Sequence, residues 1–202
     1  MALRFSLLTA VALLAACGGN KNVKLLYPDR DAASPATRCG TEIALEELSD
    51  RRPVEPRALG YLYGINRNVV GHLETKDDVR QWIGRGLEVE LGRAGFNLRP
   101  GAATKPGALR MAVGIAKVLS GTDHAHYAGA VGLAVRVQRA DQVVLEEDFE
   151  SKYVGDMNVA GSPEGYGETL GMALRATARQ VAAAVTEKVG PTAGARLDCS
   201  RD

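Results

Sequence analysis

The chain has 202 residues, 46% of them hydrophobic and only 5% aromatic, with 25 Lys plus Arg against 24 Asp plus Glu. A charge balance this even, with no basic stripe or run of Lys and Arg, argues against nucleic acid as a partner. The length suits one domain with one core, and no dissociable cofactor is expected.

Met1-Ala2-Leu3-Arg4 is followed by an apolar stretch from Phe5 to Leu14 and then by Leu14-Ala15-Ala16-Cys17-Gly18-Gly19. A positive start, an apolar run of about ten residues and small residues at the cut make a signal peptide; the run is too short to span a bilayer. The quartet ending in Cys17 reads as the lipobox of bacterial lipoproteins, so residues 1–16 are expected to be removed and Cys17 acylated. Several acyl chains at about 0.8 kcal/mol per buried CH₂ would make the anchoring permanent. No later segment reaches the length of a membrane helix, so lipid is the expected anchor. Residues 17–40 are polar and rich in turn formers, including Pro28, Asp29, Ser34 and Pro35, and read as a linker with a short strand at Val23 to Tyr27. Cys39 and Cys199 flank the body and are expected to pair in the oxidising compartment beyond the inner membrane. In the chain-entropy account that bridge would add roughly 5 kcal/mol, as an upper figure.

Residues 41–190 form the predicted domain, and 191–202 a tail. Thr41 to Ser49 alternates Ile43 and Leu45 with polar neighbours as a half-buried strand does, and Asp50-Arg51-Arg52-Pro53 ends it. Leu59 to Ile65 reads as another short strand. Thr75 is the expected cap of a first helix, with Asp77 and Asp78 in its first turn and Gly95 as its stop. Val79, Trp82, Ile83, Leu87, Leu91 and Ala94 recur at helical spacing and form its core face. Phe96 to Arg99 is a short strand and Pro100 to Gly107 a loop. Three longer strands follow: Leu109–Leu119, Tyr127–Arg139 and Val143–Val154, joined as an antiparallel meander. Ser162-Pro163 opens a second helix that runs to Val189 on a stripe of Leu170, Leu174, Thr177, Val181 and Val185, and Gly190-Pro191 closes it. The expected architecture is α+β: an antiparallel sheet of four to five strands with two long helices on one face.

Candidate chemistry is sparse. Asp123-His124-Ala125-His126 could supply metal ligands; the plainer reading is a solvated hairpin tip, and no metal is expected. The glycines from Gly161 to Gly167 could leave helix N–H groups open to an anion; the plainer reading is a loop and cap. No nucleophile elbow, zinc-binding helix or phosphate loop is present, so the chain is expected not to be an enzyme. A more useful feature is a run of small residues on alternate positions: Ala112, Gly114 and Ala116 in one strand, and Ala130, Gly132 and Ala134 in the next. If both helices cover the opposite face, these six form a low-relief surface able to accept a protein or a lipid chain. The competing reading places them beneath a loop or the helices.

Several features in this order resemble the YajG-like family of bacterial lipoproteins: the lipobox, a strand ending in Asp50-Arg51, Leu73-Glu74-Thr75-Lys76-Asp77-Asp78 leading into a helix with Trp82 and Leu87, and then Gly95-Phe96. The Arg51-Arg52-Pro53-Val54-Glu55-Pro56 stretch and the two terminal cysteines depart from that pattern. The resemblance implies an outer-membrane lipoprotein facing the periplasm, with no established enzymatic activity and no site residues to carry over. Gly18, where a retention signal would place aspartate, agrees with that address. Three functions remain open: a non-enzymatic envelope module binding a protein or wall component, an accessory lipoprotein of a transporter handling lipid or another apolar ligand, and a metal-dependent enzyme using His124 and His126. An apolar groove would favour the second, and a polar surface the first.

Overall fold

The computed structural model describes residues 19–28, 41–63, 68–103, 108–123, 126–156 and 162–190. Cys17, Cys39, Cys199 and His124 lie outside the described residues. In chain order the elements are β1 (Lys21–Asn22), β2 (Thr41–Asp50), β3 (Ala58–Tyr63), β4 (Val69–Glu74), α1 (Val79–Arg93), β5 (Phe96–Pro100), β6 (Leu109–Asp123), β7 (His126–Arg139), β8 (Gln142–Asp156) and α2 (Pro163–Val189). The fold is α+β, with a five-stranded sheet ordered β5-β2-β6-β7-β8 and a three-stranded sheet ordered β1-β4-β3.

The long meander forms as its alternation dictates. Val113 pairs with Val135, and Leu133 with Phe149, in antiparallel register, and a turn at Ala140, which takes φ 52°, joins β7 to β8. The other half of this sheet departs from the all-antiparallel expectation: β2 runs parallel to both β5 and β6. Parallel neighbours need a crossover, and the chain between β2 and β5 supplies one that includes α1. Both helices lie on one face of this sheet. α2 packs on β7 so closely that a Cβ on Gly129 would meet the backbone of Thr169 and Leu170, and α1 faces β2, where Gly84 approaches Leu48. The predicted stripe of α2 is buried throughout, and Thr177 donates from its hydroxyl to the carbonyl oxygens of Ala173 and Val131.

Two local predictions are corrected. The cap of α1 is Asp78, whose carboxylate accepts the N–H groups of Arg80 and Gln81, while Thr75 is buried and its hydroxyl accepts from the Asp77 N–H. Burial raises the Asp78 pKa, but those two N–H bonds and Arg80 more than offset it and leave the carboxyl below its ordinary value. Asp77 is consequently not in the first turn; its carboxylate holds the Leu25 N–H at 2.8 Å. In addition, Val69–Glu74 forms a strand, antiparallel to β3.

The segment read as linker is packed into the domain between Lys21 and Pro28. β1 runs parallel to β4, Val23 and Leu25 are buried, and the Trp82 indole N–H donates to the Leu26 carbonyl at 3.1 Å. Glycines make room for this extended chain between the helices. A Cβ on Gly167 would strike the Lys24 carbonyl, one on Gly171 the Leu26 carbonyl, and one on Gly86 would crowd Leu174 and the Tyr27 ring. Tyr27 reaches deeper and donates its hydroxyl to Glu90 Oε1 at 2.7 Å; burial first, then that bond, pushes its pKa far above the usual phenol value.

Candidate functional site

The six small residues of β6 and β7 mostly share the face turned away from the helices. Val113, Ile115, Val131 and Leu133 are buried on the helix side, so the intervening Ala112, Gly114, Ala130, Gly132 and Ala134 point outward. A bulge between Ile115 and Lys117 takes Ala116 out of this alternation, and it stands exposed near β3.

Charge covers much of that surface. The Arg51 side chain lies across Gly114, where a Cβ would come within 2.9 Å of its Cδ and Nε. Arg51 also donates to Glu47 Oε1 at 3.1 Å and to the Ser49 hydroxyl at 3.0 Å. Bonds from Ser49 and Arg51 hold the Glu47 carboxyl below its ordinary pKa. Gly132 lies beneath Lys117, whose Nζ meets Glu150 Oε1 at 2.6 Å. Beside the Arg51–Glu47 pair is an open trough of about 580 Å³, floored by Ala112, Gly114 and Ala134 and rimmed by Arg136, Glu146 and Asp148. Small residues therefore act as the floor beneath long charged side chains, with the Arg51–Glu47 ion pair along one side of the trough.

A second concavity, of about 250 Å³, lies where β3 abuts the far half of β6 beyond the end of β2. Contact there is close: a Cβ on Gly60 would collide with the Ser120 carbonyl. Its lining is mainly apolar, including Pro53, Val54, Leu59, Val118 and Leu119, with Tyr61 and His72 at the mouth. Arg52 builds one wall. Its side chain is 2% exposed, and the guanidinium grips Asp50 through two bonds of 2.7 and 2.8 Å and donates to the carbonyls of Pro56 and Ala58. The stretch that departs from the YajG-like pattern is thus the loop that shapes this groove.

The Arg52 bonds hold the Asp50 carboxyl below its ordinary pKa, and burial opposes them only in part. A depressed folded-state value contributes stability that is complete above the usual carboxylate range and is lost as pH falls through the lowered value. Thermal melts across the acid range should therefore show the wild-type midpoint falling as Asp50 protonates. Asp50→Ala should lose about 1–3 kcal/mol at neutral pH, because the buried guanidinium loses its partner, and should respond less to acid. Parallel acid curves for the two proteins would refute this account of the loop.

Of the histidines, His72 and His126 are among the described residues and His124 is not. His126 is half exposed, with Nδ1 3.6 Å from Asp156, and Asp123 closes β6 opposite it; His72 stacks beside Tyr61 on β4 with ring centroids 5.3 Å apart. Among the described residues no three His, Cys, Asp or Glu side chains group to hold a metal, and no helix is long and apolar enough to cross a membrane. The glycine-rich run that opens α2 has a packing role at two positions. Ser162 caps the helix, a Cβ on Gly165 would strike the Tyr127 ring, and Gly167 seats the Lys24 carbonyl. Tyr127 in turn packs edge-on against Tyr166 at 4.8 Å and accepts the Ser162 N–H.

Sequence reasoning missed the groove and the seat of the N-terminal segment. Glycines four apart at Gly167 and Gly171 were the available signal for the seat, since that spacing clears one strip of a helix.

No family model matches the sequence, and no curated protein matches it, so the likeness to the YajG-like family stays a resemblance. Solved structures do match. An uncharacterized protein aligns over 85% of this chain and 98% of its own, with TM-score 0.53 and 10% identity. A Xanthomonas campestris protein of the DUF330 family aligns over 83% of this chain and 92% of its own, with TM-score 0.50 and 10% identity. Lipoprotein GNA1162 from Neisseria meningitidis aligns over 71% of this chain and 99% of its own, with TM-score 0.36 and 13% identity. At these identities the first two comparisons establish a shared fold: the chain has the α+β architecture of these proteins.

Proposed function

We propose that the chain is a lipid-anchored lipoprotein of the bacterial envelope, acting as a non-enzymatic binding or assembly module on the outer membrane and facing the periplasm. The observation that carries this reading is the lipobox ending at Cys17, placed only a few residues before the point at which Lys21 joins the domain. The charged trough over Ala112, Gly114 and Ala134 is the surface offered to an envelope protein or a wall component. Ion pairs on such a rim set partner choice and association rate more than raw affinity. Neither a cofactor nor a catalytic residue forms part of the proposal.

An accessory role in an envelope transporter is the second reading, favoured by the apolar lining of the β3–β6 groove. Size weighs against it as the main function: about 250 Å³ falls below the roughly 300–1,000 Å³ of pockets that enclose a small-molecule ligand.

The test compares wild type with Cys17→Ala in intact cells by acyl-chain labelling, membrane fractionation and crosslinking capture. Label and membrane association are expected for wild type and should be lost in the variant. An unlabelled wild-type protein, or a variant that stays in the membrane, would overturn the anchor. Capture of transporter components by the wild-type protein would replace the module reading with the accessory one.

A further inference from the structure

We propose that the hairpin end of β3 and β4, carrying Tyr61, Tyr63 and Val69, rests in the lipid head-group layer, so that the domain is held on the bilayer in one orientation by its lipid and by this end together. The proposal deepens the anchored reading and rests on it.

The path of the chain into the domain carries the argument. Lys21 pairs with Leu73 in parallel register, the Asn20 carboxamide oxygen accepts the His72 N–H at 3.3 Å, and the Gly19 carbonyl lies against Gly71, where a Cβ would come within 2.6 Å of it. Read backwards, three consecutive residues follow β4 toward its start. That start is the hairpin end, where Val69 pairs with Tyr63. Cys17 is two residues before Gly19 and, at about 3.3–3.6 Å per residue, lies no more than roughly 7 Å from it. The head-group layer on each side of a bilayer is itself about 5–8 Å thick. A lipid on Cys17 therefore brings this end of the small sheet to the membrane surface, with no slack to lift it clear.

What stands at that end suits such a place. Tyr63 is 53% exposed, Val69 49% and Tyr61 45%, in a chain with few aromatic residues to spare. Tyrosine is favoured at the boundary between hydrocarbon and water because it joins an apolar ring to a hydroxyl that stays hydrated. The rings also support one another, with centroids 6.4 Å apart for Tyr61 and Tyr63. Glu74 is the one carboxylate in the two strands and sits at the opposite end of β4, where the Asn20 amide donates to it.

The test uses the full lipidated protein in vesicles of phosphatidylethanolamine and phosphatidylglycerol doped with lipid brominated near the head group. Trp82 is the single native tryptophan and is buried, so its emission provides a baseline. Tyr63→Trp adds a reporter at the hairpin end, and Val143→Trp one beside the β7–β8 turn, at the far end of the large sheet. Both replace exposed side chains and should leave the fold intact, which circular dichroism would verify. The Tyr63→Trp emission should be mostly quenched by the brominated lipid and that of Val143→Trp left intact. Equal emission from both, with mass spectrometry showing the acyl chains on Cys17, would overturn the orientation and leave the anchor standing. Absence of acyl chains on Cys17 would remove the anchor and the proposal with it. An unquenched Tyr63→Trp in a protein that sediments as a dimer would overturn the proposal by assigning this end to a second copy.

Discussion

Replacing Glu90 with alanine is expected to destabilise the domain by about 3–5 kcal/mol, the range for removing one partner from a buried charge network. Glu90 is only 4% exposed on α1 and meets three arginines: Oε1 accepts from Arg93 at 2.5 Å and stands 3.6 Å from Arg175, and Oε2 accepts from Arg179 at 3.3 Å. It also receives the Tyr27 hydroxyl, so it joins α1, α2 and the docked N-terminal segment at one point. Arg179 is 55% exposed and can turn to water, which favours the lower half of that range; Arg93 and Arg175 are about three-quarters covered and would stay partly desolvated. Urea unfolding should rank Glu90→Ala as the most damaging change, with Glu90→Gln intermediate and Tyr27→Phe near 1 kcal/mol, as for a single hydrogen bond. A loss below 1 kcal/mol for Glu90→Ala would mean that solvent already screens the cluster and that packing alone unites the three segments.

A valine at Gly171 is expected to displace the N-terminal segment. Its side chain would need the space now held by the Leu26 carbonyl, which a Cβ would approach at 2.5 Å, with the Pro28 ring at 3.1 Å. A shift of the segment in place would cost about 1–3 kcal/mol by overpacking. Full release would expose Val23 and Leu25 at about 1.5–3 kcal/mol each and leave the Trp82 N–H without its carbonyl. Valine in place of glycine improves helix propensity by only a few tenths of a kcal/mol, too little to offset either cost. Hydrogen exchange distinguishes the outcomes. Release should remove protection from the Val23 and Leu25 amides, which now donate to the Glu74 carbonyl and the Asp77 carboxylate, while α2 stays protected. Retained protection would show that the helices part to accommodate the side chain. Under the proposed anchor, release also bears on function, because the next paired segment among the described residues begins at Thr41 and a tether from Cys17 would grow from about four residues to about two dozen. On such a tether the domain would no longer be held against the bilayer.

Elements with strong local signals were legible in the sequence. Ser162-Pro163 and Gly190 bound α2 as read, Gly95 with φ 88° follows α1, and the alternation of β6, β7 and β8 gave both the strands and their antiparallel order. Misreadings arose where two residues could serve the same purpose. Thr75 and Asp78 are both competent caps, and the choice fell to Asp78 because tertiary packing buries Thr75. Strand β4 was hidden because Val69–Glu74 is short and contains a glycine, and it acquires its meaning from partners fifty or more residues upstream at Lys21 and nearby at Tyr61. For the candidate surface, alternation showed which small residues share a face. It could not show that Arg51 and Lys117 would lie across them.

By itself the sequence determined the two helices with their buried stripes and the meander, since each depends on neighbours within a few residues or on a period of the chain. Tertiary structure alone decided the parallel placement of β2 between β5 and β6, the seating of residues 21–28 between the helices, and the groove shaped by Arg52. These depend on contacts between segments far apart in the chain, whose energy comes from close approach and from paired buried charge. Neither leaves a periodic trace in the sequence.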